Sequence, residues 1–316
     1  MARSLMFIIQ QTVNQHVTFQ FAFQYNQSSQ SRMAQVAARA AQTWQPQKYL
    51  KFQQQRLRPA LELLDHVSAL PSADKTSVEI VDLGAGTGNM APAFLKRWPS
   101  AHVTFVDSSA SMLEVAQREH KENGSLNTQQ FTYVQDTIET YKPHGPVDLI
   151  YSNAALQWVN VEKHKQILPQ LFSFLKPGGV LAFQVPDTRL QPSYQLLVDA
   201  ADQLGFSEKV AGVRWVTCEG DPSFYYELFK GVDSEVELDM WSTVYAHILE
   251  GDNPVADFTG STGLRPYLEA LGEPSKAATD YEKKYRELVA AAYPKQSDGR
   301  TIYNFKRFFV MATKPL

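Results

Sequence analysis

The sequence predicts an α/β fold built on a mostly parallel sheet, with helices over both faces and a helical cap supplied by the C-terminal half. Three observations predict it. Short apolar runs alternate with helical-period segments from about residue 57 to residue 187. A glycine-rich turn, "DLGAGTG", joins the first of these runs to the segment after it. Beyond Asp187 the alternation stops and helical segments separate two long strand-like runs. Strand–helix–strand units close as right-handed crossovers, which makes the first part a parallel sheet.

In order, "LRPALELLDHV" spaces Leu57, Leu61, Leu64 and Val67 as one helix face. "SVEIVDLG" is a short buried strand ending in the glycine loop, and "NMAPAFLKRWP" the helix after it, stopped by Pro99. "HVTFVDSS" is the second strand, "SMLEVAQREH" a helix, "FTYVQD" the third strand and "VDLIYSN" the fourth. "KQILPQLFSFL" is a helix ending at the turn "KPGG", and "VLAFQVPD" is the fifth strand. Past it, "QPSYQLLVDAADQLGF" reads as a helix and "SEVELDMWSTVYAHIL" as a longer strand. "PVADFTGSTGLRPYLEAL" is expected to be helical, as is "YEKKYRELVAAAYP", with Tyr281, Tyr285, Leu288 and Ala292 on one stripe and a stop before Pro294. "NFKRFFVMATK" is the last strand. The two long strands are expected to finish the sheet as an antiparallel pair, with the helices between them capping a pocket.

Composition narrows the function. The 316 residues, 44% of them apolar, can bury a large core, and a net charge of −3 gives no general attraction to nucleic acid. One cysteine, Cys218, leaves neither a disulfide framework nor a thiolate metal cluster, and the seven histidines are scattered singly, so no metal is expected. With no apolar run of membrane-spanning length, a soluble, reduced-compartment, cytoplasmic protein is expected, without nucleic-acid or membrane partners, as a monomer. The first 60 residues contain no Asp or Glu and are rich in Gln. Residues 1–32 read as a disordered or targeting extension, a mitochondrial transit segment being the targeting alternative; residues 33–316 read as the catalytic domain, with cap insertions at about 188–231 and 251–296.

The glycine loop is the chemical signal. A strand, a glycine loop, a helix and an acid roughly 20 residues on form a nucleotide fingerprint, the acid accepting hydrogen bonds from ribose hydroxyls. Here the glycines, Gly84, Gly86 and Gly88, are spaced GxGxG, one residue shorter than the dinucleotide pattern; Asp82 precedes them and Asp107 ends the second strand. No Walker lysine follows, which removes a triphosphate. A nicotinamide dehydrogenase is the competing reading, disfavoured by the spacing.

With Asp136 ending the third strand and "LKPGG" before the fifth, this set resembles the class I S-adenosylmethionine-dependent methyltransferases. The resemblance implies a Rossmann-like, seven-stranded, mostly parallel sheet and S-adenosylmethionine as cofactor. It implies that Gly84, Gly86 and Gly88 face the methionine and ribose, that Asp107 holds the ribose hydroxyls, that Met112 packs on the adenine, and that Asp136 receives its amino group with Thr137 beside it; Asp82 and Ser108 are further cofactor-binding candidates. Asn153, in "YSNAALQW", would open onto the acceptor pocket.

The place after the fourth strand reads "SNAALQW" rather than the [DNS]PP[YFW] of amino-methylating nucleic-acid enzymes, so a small acceptor is favoured. "WQPQKYLKFQQQRLRPALELL", "SNAALQW", "LKPGGVLAFQVPD", "GSTGLRPYL" and "FKRFFVMA" together resemble the trans-aconitate methyltransferases, from about Trp44 to the C-terminus. That resemblance implies esterification of one carboxylate of a polycarboxylic acid. A carboxylate with a pKa near 4 is already ionised at pH 7, so no catalytic base is expected and the task is orientation. The carboxylates that do not react need cations, for which arginine's fork is best suited. Arg56, Arg58, Arg214, Arg265 and Arg307 are the candidates. Arg58 and Arg265 each stand near a proline in an apolar stretch, and Arg307 lies among three phenylalanines. Trp158, Tyr194 and Tyr267 are expected beside them, Trp158 reading equally well as core. The alternatives kept open are another free or carrier-bound carboxylic acid, of fatty or isoprenoid type, and a non-catalytic cofactor-binding protein.

Overall fold

The computed structural model describes residues 52–67, 70–72, 77–214, 219, 221–260 and 262–316. The expected extension at residues 1–32 and Cys218 lie outside them. Strands β1 (Glu79–Leu83), β2 (His102–Asp107), β3 (Phe131–Gln135), β4 (Val147–Asn153), β5 (Leu175–Pro186), β6 (Glu237–Leu249) and β7 (Thr301–Thr313) form one sheet in the order β3-β2-β1-β4-β5-β7-β6. All pairings are parallel up to β5; β7 runs antiparallel to both β5 and β6. The antiparallel ending expected from the two long C-terminal runs is therefore present. The chain reverses its winding between β1 and β4, so the carboxyl ends of these strands form the crevice where such sheets bind ligands.

The central strands are apolar because both sheet faces are covered. Over one face lie α1 (Gln53–His66), α2 (Ala91–Arg97) and α3 (Ala110–Glu122), which bury Leu63, Leu64, Phe94 and Leu113 against Phe105, Tyr151 and Phe309. Tyr151 also donates its hydroxyl to the Ala60 carbonyl at 2.6 Å, fixing α1 on the sheet. Over the other face lie α4 (Val161–Ser173) and α7 (Pro222–Val232), with Leu168, Phe172, Tyr225 and Phe229 packed on Phe183 and Phe308.

A third cluster forms the cap. Helices α5 (Pro192–Gln203), α6 (Ser207–Val210), α8 (Pro254–Gly260), α9 (Arg265–Ala270) and α10 (Lys276–Ala292) bury Tyr194, Leu197, Phe258, Tyr267, Tyr281 and Tyr285 against Phe52, Tyr303 and Phe305. Two details differ from the sequence reading. The segment is two short helices, Pro254–Gly260 and Arg265–Ala270, because the chain turns at Thr262 and Gly263, where Gly263 packs under the Tyr194 ring with no room for a Cβ. The buried stripe of α10 is Ala278, Tyr281, Tyr285 and Val289, while Leu288 is half-buried and Ala292 exposed. The two tyrosines set the stripe, and a 3.6-residue period carries it from Tyr285 to Val289.

The "LKPGG" turn has its own physical reason. Asp148 is fully buried and accepts from Ser72 N (3.1 Å), Glu79 N (2.9 Å) and Lys176 Nζ (2.7 Å). Lys176 thus supplies the cation that lets a carboxylate sit inside β4, at the register shift between Val147 and Leu149. No helix among the described residues is long and apolar enough to cross a membrane.

Candidate active site

The loop after β1 folds back on β2, with Gly84 N and Ala85 N both donating to the Val106 carbonyl (2.8 and 2.9 Å). Its three glycines have different jobs. All take positive φ (+76°, +57° and +64°). A Cβ on Gly84 would lie 2.3 Å from the Ala155 Cβ, and one on Gly88 would lie 2.5 Å from His120 Cε1. These two are demanded by the protein's own packing. Of the three, only Gly86 has nothing among the described residues within 4 Å of where a Cβ would stand, so packing does not require it and it leaves room beside the loop for a ligand.

Gly86 donates its N–H to Asp107 Oδ2 at 2.8 Å, and Ser109 N donates to Oδ1 at 2.9 Å. Each carboxylate oxygen keeps lone-pair capacity for a further donor such as a ribose hydroxyl. Burial raises the Asp107 pKa, against the opposing pull of backbone N–H groups from Ser109, Gly86 and Ser108. Beside it in β1, Asp82 is 2% exposed and is pushed up to about 8, first by burial and then by the Asp107 charge. Two interacting carboxyl groups on neighbouring strands are complementary to a cation, which would bring Asp82 back to its ionised form.

The same edge carries the remaining expected cofactor residues. Asp136 N donates to the Asp107 carbonyl (3.1 Å), and Asp136 Oδ1 accepts from Thr137 N (2.7 Å) and the Thr140 hydroxyl. Ser108 is exposed, and Met112 begins α3, its N–H donating to the Ser109 hydroxyl at 3.4 Å. Asn153 ends β4, next to Ala154, whose φ of +53° makes the turn there strained.

Two residues at this edge were not singled out from the sequence. His120 is 4% exposed; its Nε2 donates to the Gly88 carbonyl (2.8 Å) and its Nδ1 accepts from the Tyr133 hydroxyl (2.8 Å). A carbonyl can only accept, which fixes the tautomer, and burial lowers its pKa. His120 therefore pins the end of the glycine loop to β3. Gln184 is 1% exposed and donates Nε2 to Asn153 Oδ1, while its Oε1 has no hydrogen-bond partner among the described residues. A lone Gln in the apolar run "VLAFQVP" was the available signal for it.

The residues expected to hold an acid lie further along the sheet, by the cap helices. Arg307 of β7 stands in register between Pro186 of β5 and Thr243 of β6, is 4% exposed, and holds its guanidinium 4.8 Å from the Phe305 ring centre. Arg56 of α1 is 7% exposed and lies 5.1 Å from the centre of Phe258, itself 5.4 Å from Phe305. Tyr194 sits within reach of both charges. Burial raises its phenol pKa, while a bond with Thr262 and the charges of Arg307 and Arg56 pull the other way. The other expected acid-side residues are placed differently. Arg58 is exposed over the Tyr245 ring (5.2 Å), and Arg265 donates Nε to Glu269 Oε1 (3.1 Å). Tyr267 stacks on Tyr281 within the cap at 5.8 Å. Trp158 is 43% exposed, so it is not core. Arg214 is turned to the carbonyls of Gln157 and Trp158 (3.1 and 2.6 Å). Among the described residues no group of three or more His, Cys, Asp or Glu could hold a metal.

Residues 80–179 match the family model of a methyltransferase domain. Over 272 residues the chain is 37% identical to a trans-aconitate 2-methyltransferase of Azoarcus sp., covering 86% of this chain and 99% of the relative. A relative of the same name from Streptomyces coelicolor is 37% identical, over 87% of this chain and 88% of its own length. One from Enterobacter sp. is 34% identical, over 86% and 98%. The chain belongs to the trans-aconitate 2-methyltransferase family. It is an S-adenosylmethionine-dependent methyltransferase with the class I, seven-stranded α/β fold. Three features of this family member fit the cofactor: the open side of Gly86, the spare lone pairs of Asp107, and the displaced titration of Asp82.

Proposed function

We propose that the protein esterifies one carboxylate of trans-aconitate, releasing the monomethyl ester and S-adenosylhomocysteine. The supporting observation is the pair of buried arginines, Arg56 and Arg307, held on the Phe258–Phe305 floor next to Tyr194. A fatty or isoprenoid acid would lay an apolar tail along these two guanidinium groups, whereas the further carboxylates of a polycarboxylic acid match their planar forks. The names of the relatives point the same way.

When bound, S-adenosylmethionine supplies a methyl group on a positively charged sulfur. Asp107, Gly86, Ser108, Met112, Asp136 and Thr137 would hold the nucleoside part, and Asp82 would answer the amino acid's ammonium. Asn153 and Gln184, at the ends of β4 and β5, lie between the nucleoside edge and the arginines. The attacking oxygen belongs to an ionised carboxylate, so the chain removes no proton and its contribution is orientation and exclusion of water. The transfer would join a carboxylate oxygen to the methyl carbon while sulfur keeps the pair of the broken C–S bond, so that the anion and the sulfonium both become neutral. In this reading the active unit is the single chain, in a cytoplasmic setting, with a small molecule as its partner.

The test is product analysis with labelled cofactor and a panel of acids: trans-aconitate, its cis isomer, citrate, a dicarboxylate and a long-chain fatty acid. A methyl ester of trans-aconitate, formed with the highest kcat/KM of the panel, is expected. Preference for the fatty acid, or tight cofactor binding with no product from any acid, overturns the proposal.

A further inference from the structure

Within the capped cluster one buried polar group has no assigned task. His247 of β6 is 7% exposed, and its Nε2 makes no hydrogen bond among the described residues. Its neighbours place it with the arginines. The ring lies 5.9 Å from Phe258, which carries Arg56, and 6.5 Å from Phe305, which carries Arg307. It stacks in parallel with Tyr245, over which Arg58 lies. A buried ring nitrogen left without a hydrogen-bond partner is costly, and here that nitrogen shares its aromatic floor with two buried cations.

We propose that His247 is a specificity-determining contact for the acceptor acid, its Nε2–H donating to a carboxylate that does not react, beside Arg307 and Arg56. This rests on the reading of the acceptor as a polycarboxylate. Three donors around one floor then match two spectator carboxylates, whereas a monocarboxylate has no group left to offer them once its own carboxylate is at the methyl.

The contact carries a proton linkage. The groups facing His247 are Arg307, Tyr303 and Phe305 from β7, Tyr245 on its own strand, Phe258 from α8, Arg58 from α1 and, through the Tyr245 hydroxyl, Glu62 at 2.7 Å. Asp257 of α8 is occupied by Arg286 at 2.8 Å. Burial first, then the charges of Arg307 and Arg58, lower His247 to about 4, so it is neutral at pH 7. A polycarboxylate entering the cluster reverses the sign of the nearest field and raises that pKa. Binding of the acid therefore takes up protons at pH values between about 4 and the raised value, and acid affinity falls as pH rises through that window.

Two variants separate recognition from packing. His247→Gln keeps an N–H donor and cannot titrate; His247→Phe keeps the aromatic volume and has no donor. For trans-aconitate, His247→Phe should raise KM about tenfold with kcat within about twofold, while its KM for a monocarboxylate and its S-adenosylmethionine Kd stay at the wild-type values. His247→Gln should recover most of the KM and lose the proton uptake that calorimetry at pH 5.5, in buffers of different ionisation heat, detects in the wild type. An unchanged KM in His247→Phe, or equal proton uptake in His247→Gln and the wild type, overturns the proposal. If His247→Phe does not fold, the His247→Gln uptake measurement decides alone. If the wild type does not methylate trans-aconitate, the acceptor assignment has failed instead, and that result is read before either variant.

Discussion

The two halves of the sheet's carboxyl edge solve opposite electrostatic problems. At β1–β3 the chain gathers carboxylates, Asp82, Asp107 and Asp136, on a glycine loop with no basic side chain in it. At β5–β7 it gathers cations, Arg56 and Arg307, on an aromatic floor. The negative half is satisfied largely by backbone: Gly86 and Ser109 N–H groups hold Asp107, and Thr137 N–H holds Asp136. The positive half is built from side chains delivered by α1, β7 and the cap. A loop that reads one ligand by backbone can be spelled in a short motif. A pocket assembled from distant side chains cannot.

Single truncations on the two sides should therefore have similar size and opposite signatures. Asp107→Ala removes an acceptor for two charge-assisted bonds to the cofactor and should cost about 2–4 kcal/mol of S-adenosylmethionine affinity, measured by calorimetry, with acid KM little altered. Arg307→Ala should cost about 2–4 kcal/mol in kcat/KM for trans-aconitate, chiefly through KM, because the pairing exists before and during transfer. Its cofactor Kd should stay near wild type. Arg307→Lys should restore only part, since a point charge lacks the fork. Were both variants to lose cofactor affinity equally, the two halves would not be separate.

How much of this could be read in the sequence follows the same division. The alternating strands, the glycine loop, Asp107 at a strand end and the antiparallel finish were visible because each is local and periodic. The particular duties of the glycines were not visible, since Gly84 answers to Ala155 and Gly88 to His120, residues 71 and 32 positions away that only the fold brings near. Proximity to proline singled out Arg58 and Arg265, yet burial picks Arg56 and Arg307. On α1, Arg56 is one turn from Ala60 and shares the sheet-facing side, whereas Arg58 points across it. His247 stands at an inward position of β6, alternating with exposed Val244 and Ile248, which is a signal that strand period could have given.

A smaller effect separates the halves by pH. Asp82, raised to about 8, binds a proton in the free enzyme that an unfolded chain releases near 4. The folded state therefore holds more protons between those values, and its own stability falls as pH rises through that range. Cofactor binding has the reverse sign. An ammonium beside Asp82 lowers its pKa, so binding releases a proton, and affinity should rise with pH by up to about tenfold per unit towards pH 8. Asp82→Asn should flatten that profile. A wild-type Kd independent of pH between 6 and 8 would show that Asp82 is ionised without the cofactor.

The smallest effect expected is at Arg265, and it bears on how far the positive half extends into the cap. Its Nε bonds Glu269 four residues on, within α9, and both side chains are about a third exposed. Helix pairs of this kind contribute about 0.3–0.5 kcal/mol. If the acid is held by Arg56, Arg307 and Tyr194, then Arg265→Ala should lower stability by no more than that and change kcat/KM for trans-aconitate by less than about threefold. Glu269→Gln offers a second reading of the same question. It removes the charge that ties Arg265 to α9 while keeping an acceptor, and an arginine that contacts the acid would then bind it more tightly, lowering KM; an arginine confined to its helix would leave KM where it was. A loss of a hundredfold or more in Arg265→Ala, with KM falling in Glu269→Gln, would move the boundary of the acid site from the sheet edge into α9 and make closure of the cap part of substrate recognition.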